Sequence, residues 1–129
     1  MSKAAEKAAD KAAFKERVKQ AFDEAETAAE DAYKAYRASA QLTPEGHIKD
    51  TCGSASLVIY KPSYQFRTTL QAMDKISRGY QGAWGLGAFN RSVHDQSITA
   101  SEKACEAARD VLEKHFPEEP QIYIKSFVD

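Results

Sequence analysis

From Ala4 to Ser39 the chain contains neither glycine nor proline, and Ala, Glu, Lys and Asp make up most of it. Ala, Glu and Lys lose little on entering a helix, and nothing in the stretch breaks one. It predicts one helix of roughly 54 Å, at 1.5 Å per residue. Its larger apolar residues are Phe14, Val18, Phe22, Tyr33 and Tyr36, with Ala25, Ala29 and Ala40 completing steps of three and four. A heptad register through Val18 runs onto Ala21, Ala25, Ala28 and Ala32 and misses the aromatics, whereas a spacing of eleven joins Phe14, Ala25 and Tyr36. That pattern suits a nearly straight amphipathic helix better than a left-handed supercoil.

Charge is unevenly placed along this helix. Met1–Phe22 holds six bases and three acids, while Asp23–Ala40 holds five acids and two bases. This order opposes the helix macrodipole. Laying the helix antiparallel on a second copy would set the basic half over the acidic half, so the charge order predicts an antiparallel homodimer through residues 4–39, or a partner of opposite polarity. Lys3, Lys7, Lys11, Lys15 and Lys19 recur every fourth residue. A solvated face explains them most simply; contact with phosphates is the functional alternative.

At Gln41 the composition changes to LTPEGHIKDTCG, a connector rich in helix breakers. The expected organisation is a helix over 1–40, a connector over 41–53 and an α+β domain over 54–129. SASLVIYKP reads as a two-sided central strand ended by Pro62. Ser63 can cap a helix with Phe66, Leu70, Met73 and Ile76 inward and Gly79 as its stop. A capping box of Thr99 and Glu102 opens a second helix carrying Ala104, Cys105, Ala108, Val111, Leu112 and Phe116 inward. QIYIKSFV alternates Ile122, Ile124, Ser126 and Val128 against Tyr123, Lys125 and Phe127, a half-exposed strand. With GAWGLGAF as a strand and a short return strand near Ser92–His94, the order is βαββαβ. This is the ferredoxin-like arrangement of two helices on one face of a sheet. Its second face then needs the long helix, another subunit or a ligand.

If extended, GAWGLGAF places Trp84, Leu86 and Ala88 on one face and Ala83, Gly85, Gly87 and Phe89 on the other. Glycines in a strand mark a bulge or the close approach of another backbone. The alanine-rich first helix is the expected neighbour of that flat face, with a ligand or partner backbone as the alternative.

The chain carries a net charge of −1 with 43% hydrophobic and 29% charged residues, a composition that fits a cytoplasmic protein and excludes a polycation. No apolar run is long enough to span a membrane, and no apolar leader opens the chain. Cys52 and Cys105 lack the spacing of a disulfide framework or zinc site. His47, His94 and His115 lack ligand spacing, so no metal is expected, and Gly82, Gly85 and Gly87 do not form a phosphate loop, so no cofactor is expected. Catalysis would have to come from Cys52 or Ser54 with His94, activated as a nucleophile and base.

These features predict a small non-enzymatic protein that binds a protein partner, as an inhibitor or accessory factor. The expected binding residues are Tyr64, Arg67, Arg78, Tyr80, Trp84, Gly85, Gly87 and Arg91. A nucleic-acid-binding module is the alternative, because Tyr60, Lys61, Tyr64, Arg67, Lys75, Arg78, Tyr80, Trp84 and Arg91 interleave aromatic rings with bases on a sheet scaffold. A small enzyme using Cys52, Ser54 and His94 is the second alternative.

Overall fold

The computed structural model describes residues 2–91 and 93–129. The long helix is present as α1 (Lys3–Ser39), opened by Ser2, whose hydroxyl accepts from the Ala5 amide. Pro44 and Gly46 then turn the chain, and a bridge between Leu42 and Ile48 closes the loop. The rest comprises β1 (Gly53–Tyr60), α2 (Tyr64–Ala72), β2 (Ile76–Arg78), β3 (Ala83–Leu86), α3 (Ile98–His115) and β4 (Ile122–Val128). The four strands form one sheet in the order β2-β3-β1-β4, with every neighbour antiparallel.

Two boundaries differ from the sequence reading. Helix α2 stops at Ala72 because Asp74 takes a left-handed backbone (φ 56°). The Asp74 and Lys75 amides then donate to the carbonyls of Gln71 and Leu70. This is the Schellman closure, with aspartate where a glycine is usual. Ile76 is therefore not a helix residue: it opens β2, an edge strand that hairpins onto β3 through Gly79–Gly82. That edge strand precedes β3, whereas a short return strand after it, near Ser92–His94, was expected; Ser92 lies outside the described residues, and Val93 and His94 are in no strand. The second difference is at α3, which is capped by Ser97 accepting from Ala100, not by Thr99. Glu102 instead accepts a hydrogen bond from the Ser126 hydroxyl of β4.

Helix α1 belongs to the core. Val18, Ala21, Phe22, Ala25 and Ala29 are buried with Phe66 and Leu70 of α2, with Ala104, Cys105, Ala108 and Leu112 of α3, and with Ala55, Leu57, Ile59, Leu86 and Ile122 of the sheet. Phe116 joins the layers, its ring 6.0 Å from Phe14 and 4.9 Å from Phe66. All three helices thus share one face of the sheet, and α1 does not cover the second face.

Helix α1 runs antiparallel to α3. Arg17 lies at the α3 C-terminus, donating to the His115 carbonyl and pairing with Glu118 at 2.9 Å, and Glu24 meets His115 at 2.6 Å. At the other end, Tyr33 and Arg37 hold Asp95 ahead of α3. Helix α3 is thus an antiparallel neighbour of α1 within the same chain. The buried part of α1 runs from Val18 to Tyr33, whereas residues 3–13 are exposed.

Candidate functional site

Four of the eight expected binding residues converge on the rim beside α2. Trp84 sits on β3 opposite Ile59 of β1 and Arg78 of β2, on the helix side of the sheet, and is half-buried. The Arg78 guanidinium lies 5.8 Å from the indole centroid. Arg67, in the first turns of α2, places a second guanidinium at 5.8 Å from the same ring and 5.6 Å from the ring of Tyr64. Ser63 positions this helix start, accepting from the Phe66 amide while Glu119 accepts from its own amide and hydroxyl. Tyr64 is 75% exposed, and Tyr80, on the hairpin between β2 and β3, is 77% exposed. Beyond Tyr64, a cleft of about 390 Å³ is bordered by Lys7, Asp10 and Lys11 of α1.

Gly85, Gly87 and Arg91 border a different cleft, of about 220 Å³, together with Glu26, Asp74 and Lys75. Here cations and carboxylates are mixed, with Lys75 and Glu26 4.0 Å apart. The two glycines do not make the flat face expected of them. Strand β3 ends at Leu86, and Gly87 turns out of it with φ 54°. A Cβ on Gly87 would stand 2.9 Å from the Phe89 ring and 3.5 Å from that of Phe22, whereas one on Gly85 would face the Ser77 hydroxyl. Helix α1 therefore approaches Gly87 through a phenylalanine, not through its alanines, and leaves Gly85 alone.

The aromatic residues of the outward sheet face are missing from the expected protein-binding set, although Gly85 lies on that face. Tyr60 of β1 and Tyr123 and Phe127 of β4 lie there, each between 43% and 47% exposed. The two tyrosine rings meet edge to face at 5.9 Å, and the Lys125 ammonium lies 5.6 Å from the Phe127 centroid. Lys125 is the one charged group among the described strand residues of this face. The alternation in QIYIKSFV separates these residues from Ile122 and Ile124. Which set faces out is fixed only by pairing with β1.

The catalytic alternative meets a different geometry. Cys52 and His94 border one cleft, of about 420 Å³, with His47, Asp50 and Asp95. Among the described residues no hydrogen bond joins His94 to Cys52 or Ser54, and Ser54 lies opposite Phe127 on the outward side of β1. Both carboxylates have structural partners. Asp95 accepts from Tyr33 and Arg37. Asp50 accepts from the Ser97 hydroxyl at 2.6 Å and from the Thr99 amide at 2.8 Å. The Ser97 hydroxyl leads in holding the Asp50 carboxyl down to about 2, against the opposing effect of burial. Among the described residues no group of three or more His, Cys, Asp or Glu is placed to share a metal ion, and no helix is long and apolar enough to cross a membrane.

No protein-family model, curated protein or solved structure matches the chain.

Proposed function

We propose that this is a small non-enzymatic protein of the cytoplasm that acts by binding another protein, as an inhibitor or accessory factor. The observation that carries this reading is the outward sheet face, where Tyr60, Tyr123 and Phe127 are half exposed and none of the three helices lies over them. Aromatic side chains supply large contact area at small entropic cost and dominate protein interfaces. Phosphate binding is disfavoured on this face because Lys125 is the one cation among its described strand residues. The complementary partner surface would offer apolar side chains around a carboxylate for Lys125. We also propose that residues 53–129 form a ferredoxin-like sandwich, a reading supported by the strand order β2-β3-β1-β4 and by helices confined to one sheet face.

The test is affinity capture with three full-length baits, quantified by mass spectrometry: the unaltered protein, Phe127→Lys and Arg67→Gln. A protein retained by the first and third but lost from the second supports the reading. Recovery of the same set on all three baits, or of nothing specific on any, overturns it.

A further inference from the structure

We propose that the rim of Trp84, Arg67, Arg78 and Tyr64, continued by Lys7 and Lys11 of α1, is a binding site for single-stranded nucleic acid, separate from the outward sheet face. The two guanidiniums carry the argument. Arg17, Arg37 and Arg109 each hold a carboxylate. Arg67 and Arg78 hold none among the described residues, make no side-chain hydrogen bond there, and rest only on aromatic rings. A guanidinium held near aromatic rings at cation–π distance, with no carboxylate of its own, keeps N–H donors available for a phosphate.

The rim also offers surfaces for bases. Tyr64 is 75% exposed, and guanidinium planes themselves stack with nucleobases. Lys7 and Lys11 extend the cations along the cleft beside Tyr64, where Asp10 is the opposing acid. Four cations, against Asp10 and the Ser63-bound Glu119, form a track that can follow a phosphodiester chain. A duplex hides its bases from a tyrosine ring, and a polypeptide rich in carboxylates offers few flat rings to stack on it, so single-stranded nucleic acid is the occupant that engages both halves of the rim.

Trp84 is the only tryptophan of the chain, so its emission reports on this site alone. The full-length protein is titrated at low salt with oligodeoxythymidylate of about twelve nucleotides, within the span usual for such modules. Saturable quenching is expected, weakening with salt at a log–log slope of roughly −2 to −3, from about −0.7 for each phosphate neutralised on a single strand. Arg67→Gln and Arg78→Gln should each weaken binding about tenfold, and Tyr64→Leu should weaken it as well. Phe127→Lys should bind as the unaltered protein does, which separates this site from the protein-binding face. Should an arginine variant lose its circular dichroism signature, the doubly substituted Lys7→Gln/Lys11→Gln protein, altered only on exposed helix, serves in its place. Absence of quenching at low salt, folded variants that bind like the parent, or equal response to polyglutamate would each overturn the proposal.

Discussion

Arg37, in the last turn of α1, donates hydrogen bonds of 2.8 and 3.0 Å to the two carboxylate oxygens of Asp95, ahead of α3. The same arginine donates to the Gly46 carbonyl at 2.8 Å, and the Tyr33 hydroxyl donates to Asp95. One carboxylate, 7% exposed, thereby joins the end of the long helix, the connector and the start of α3. Burial works against its charge, but Tyr33 and Arg37 outweigh it and hold the Asp95 carboxyl below its ordinary range. Asp95→Ala removes the acceptor from both donors and should cost about 2–4 kcal/mol in urea unfolding at neutral pH. Arg37→Ala should overlap with it, so the double variant should lose less than the sum of the two.

Helix α1 supplies part of the core, and truncation tests how far the rest depends on it. Phe22 is fully buried and its ring lies 5.6 Å from that of Phe89. Phe22→Ala should cost about 3–5 kcal/mol, and removal of residues 1–40 should abolish cooperative unfolding. Phe127→Ser, on the outward face, should stay within about 0.5 kcal/mol of the parent. A truncated chain that still melts sharply would show that the sheet and two helices suffice.

What the sequence made legible follows the range of the forces involved. The long helix, β1, α3 and β4 are written in local periodicity, and each lies near its expected place. The end of α2 was hidden because Asp74 does the work of a glycine, so Gly79 looked like the stop and Ile76 like a fourth inward helix position. The rim was legible as a set of residue types but not as a place. Arg67, Arg78 and Trp84 become neighbours only when β2 pairs with β3 in register beside α2. The role of the outward face was hidden for the same reason, since alternation separates Tyr123 from Ile122 without saying which one α3 will cover.

The two central glycines of the aromatic stretch should behave differently. Gly87→Ala meets both a left-handed backbone and a ring 2.9 Å from the new methyl group, and should cost roughly 1–3 kcal/mol. Gly85→Ala meets only the Ser77 hydroxyl at 3.0 Å, which a change of rotamer can relieve, so about 1 kcal/mol or less is expected. Thermal melts of the two variants measured side by side would reveal the difference, and equal losses would contradict the assigned backbone at Gly87.

The two thiols should separate cleanly in reactivity. Burial, with Glu102 and Glu106 adding to it, pushes the Cys105 thiol up to about 12, while Cys52 is exposed at the edge of its cleft. At about pH 8 the thiolate is the reacting form, so a disulfide reagent should titrate one thiol rapidly in the folded protein and the other only on unfolding. Cys52→Ser should abolish the rapid phase, and a rapid phase that survived it would mean that α3 opens readily.

Acid stability should depend on Asp50, which ties the connector to the first turn of α3. The Ser97 hydroxyl, followed by the Thr99 amide and hydroxyl, overcomes burial and lowers the carboxyl from 3.8 to about 2. A depressed folded value means stability that is fully present above the ordinary carboxylate range and is lost as pH falls toward about 2. Asp50→Asn keeps an acceptor but loses the charge at a helix N-terminus, so it should weaken the protein by about 0.5–1 kcal/mol near neutral pH, allowing for exposure. The gap between parent and variant should stay level down to about pH 5 and close between about pH 4 and pH 2, because protonation of the parent then erases the difference. Urea midpoints measured across that range would show the convergence, and a gap that persisted at about pH 2 would assign the loss to the amide's fit rather than to the charge.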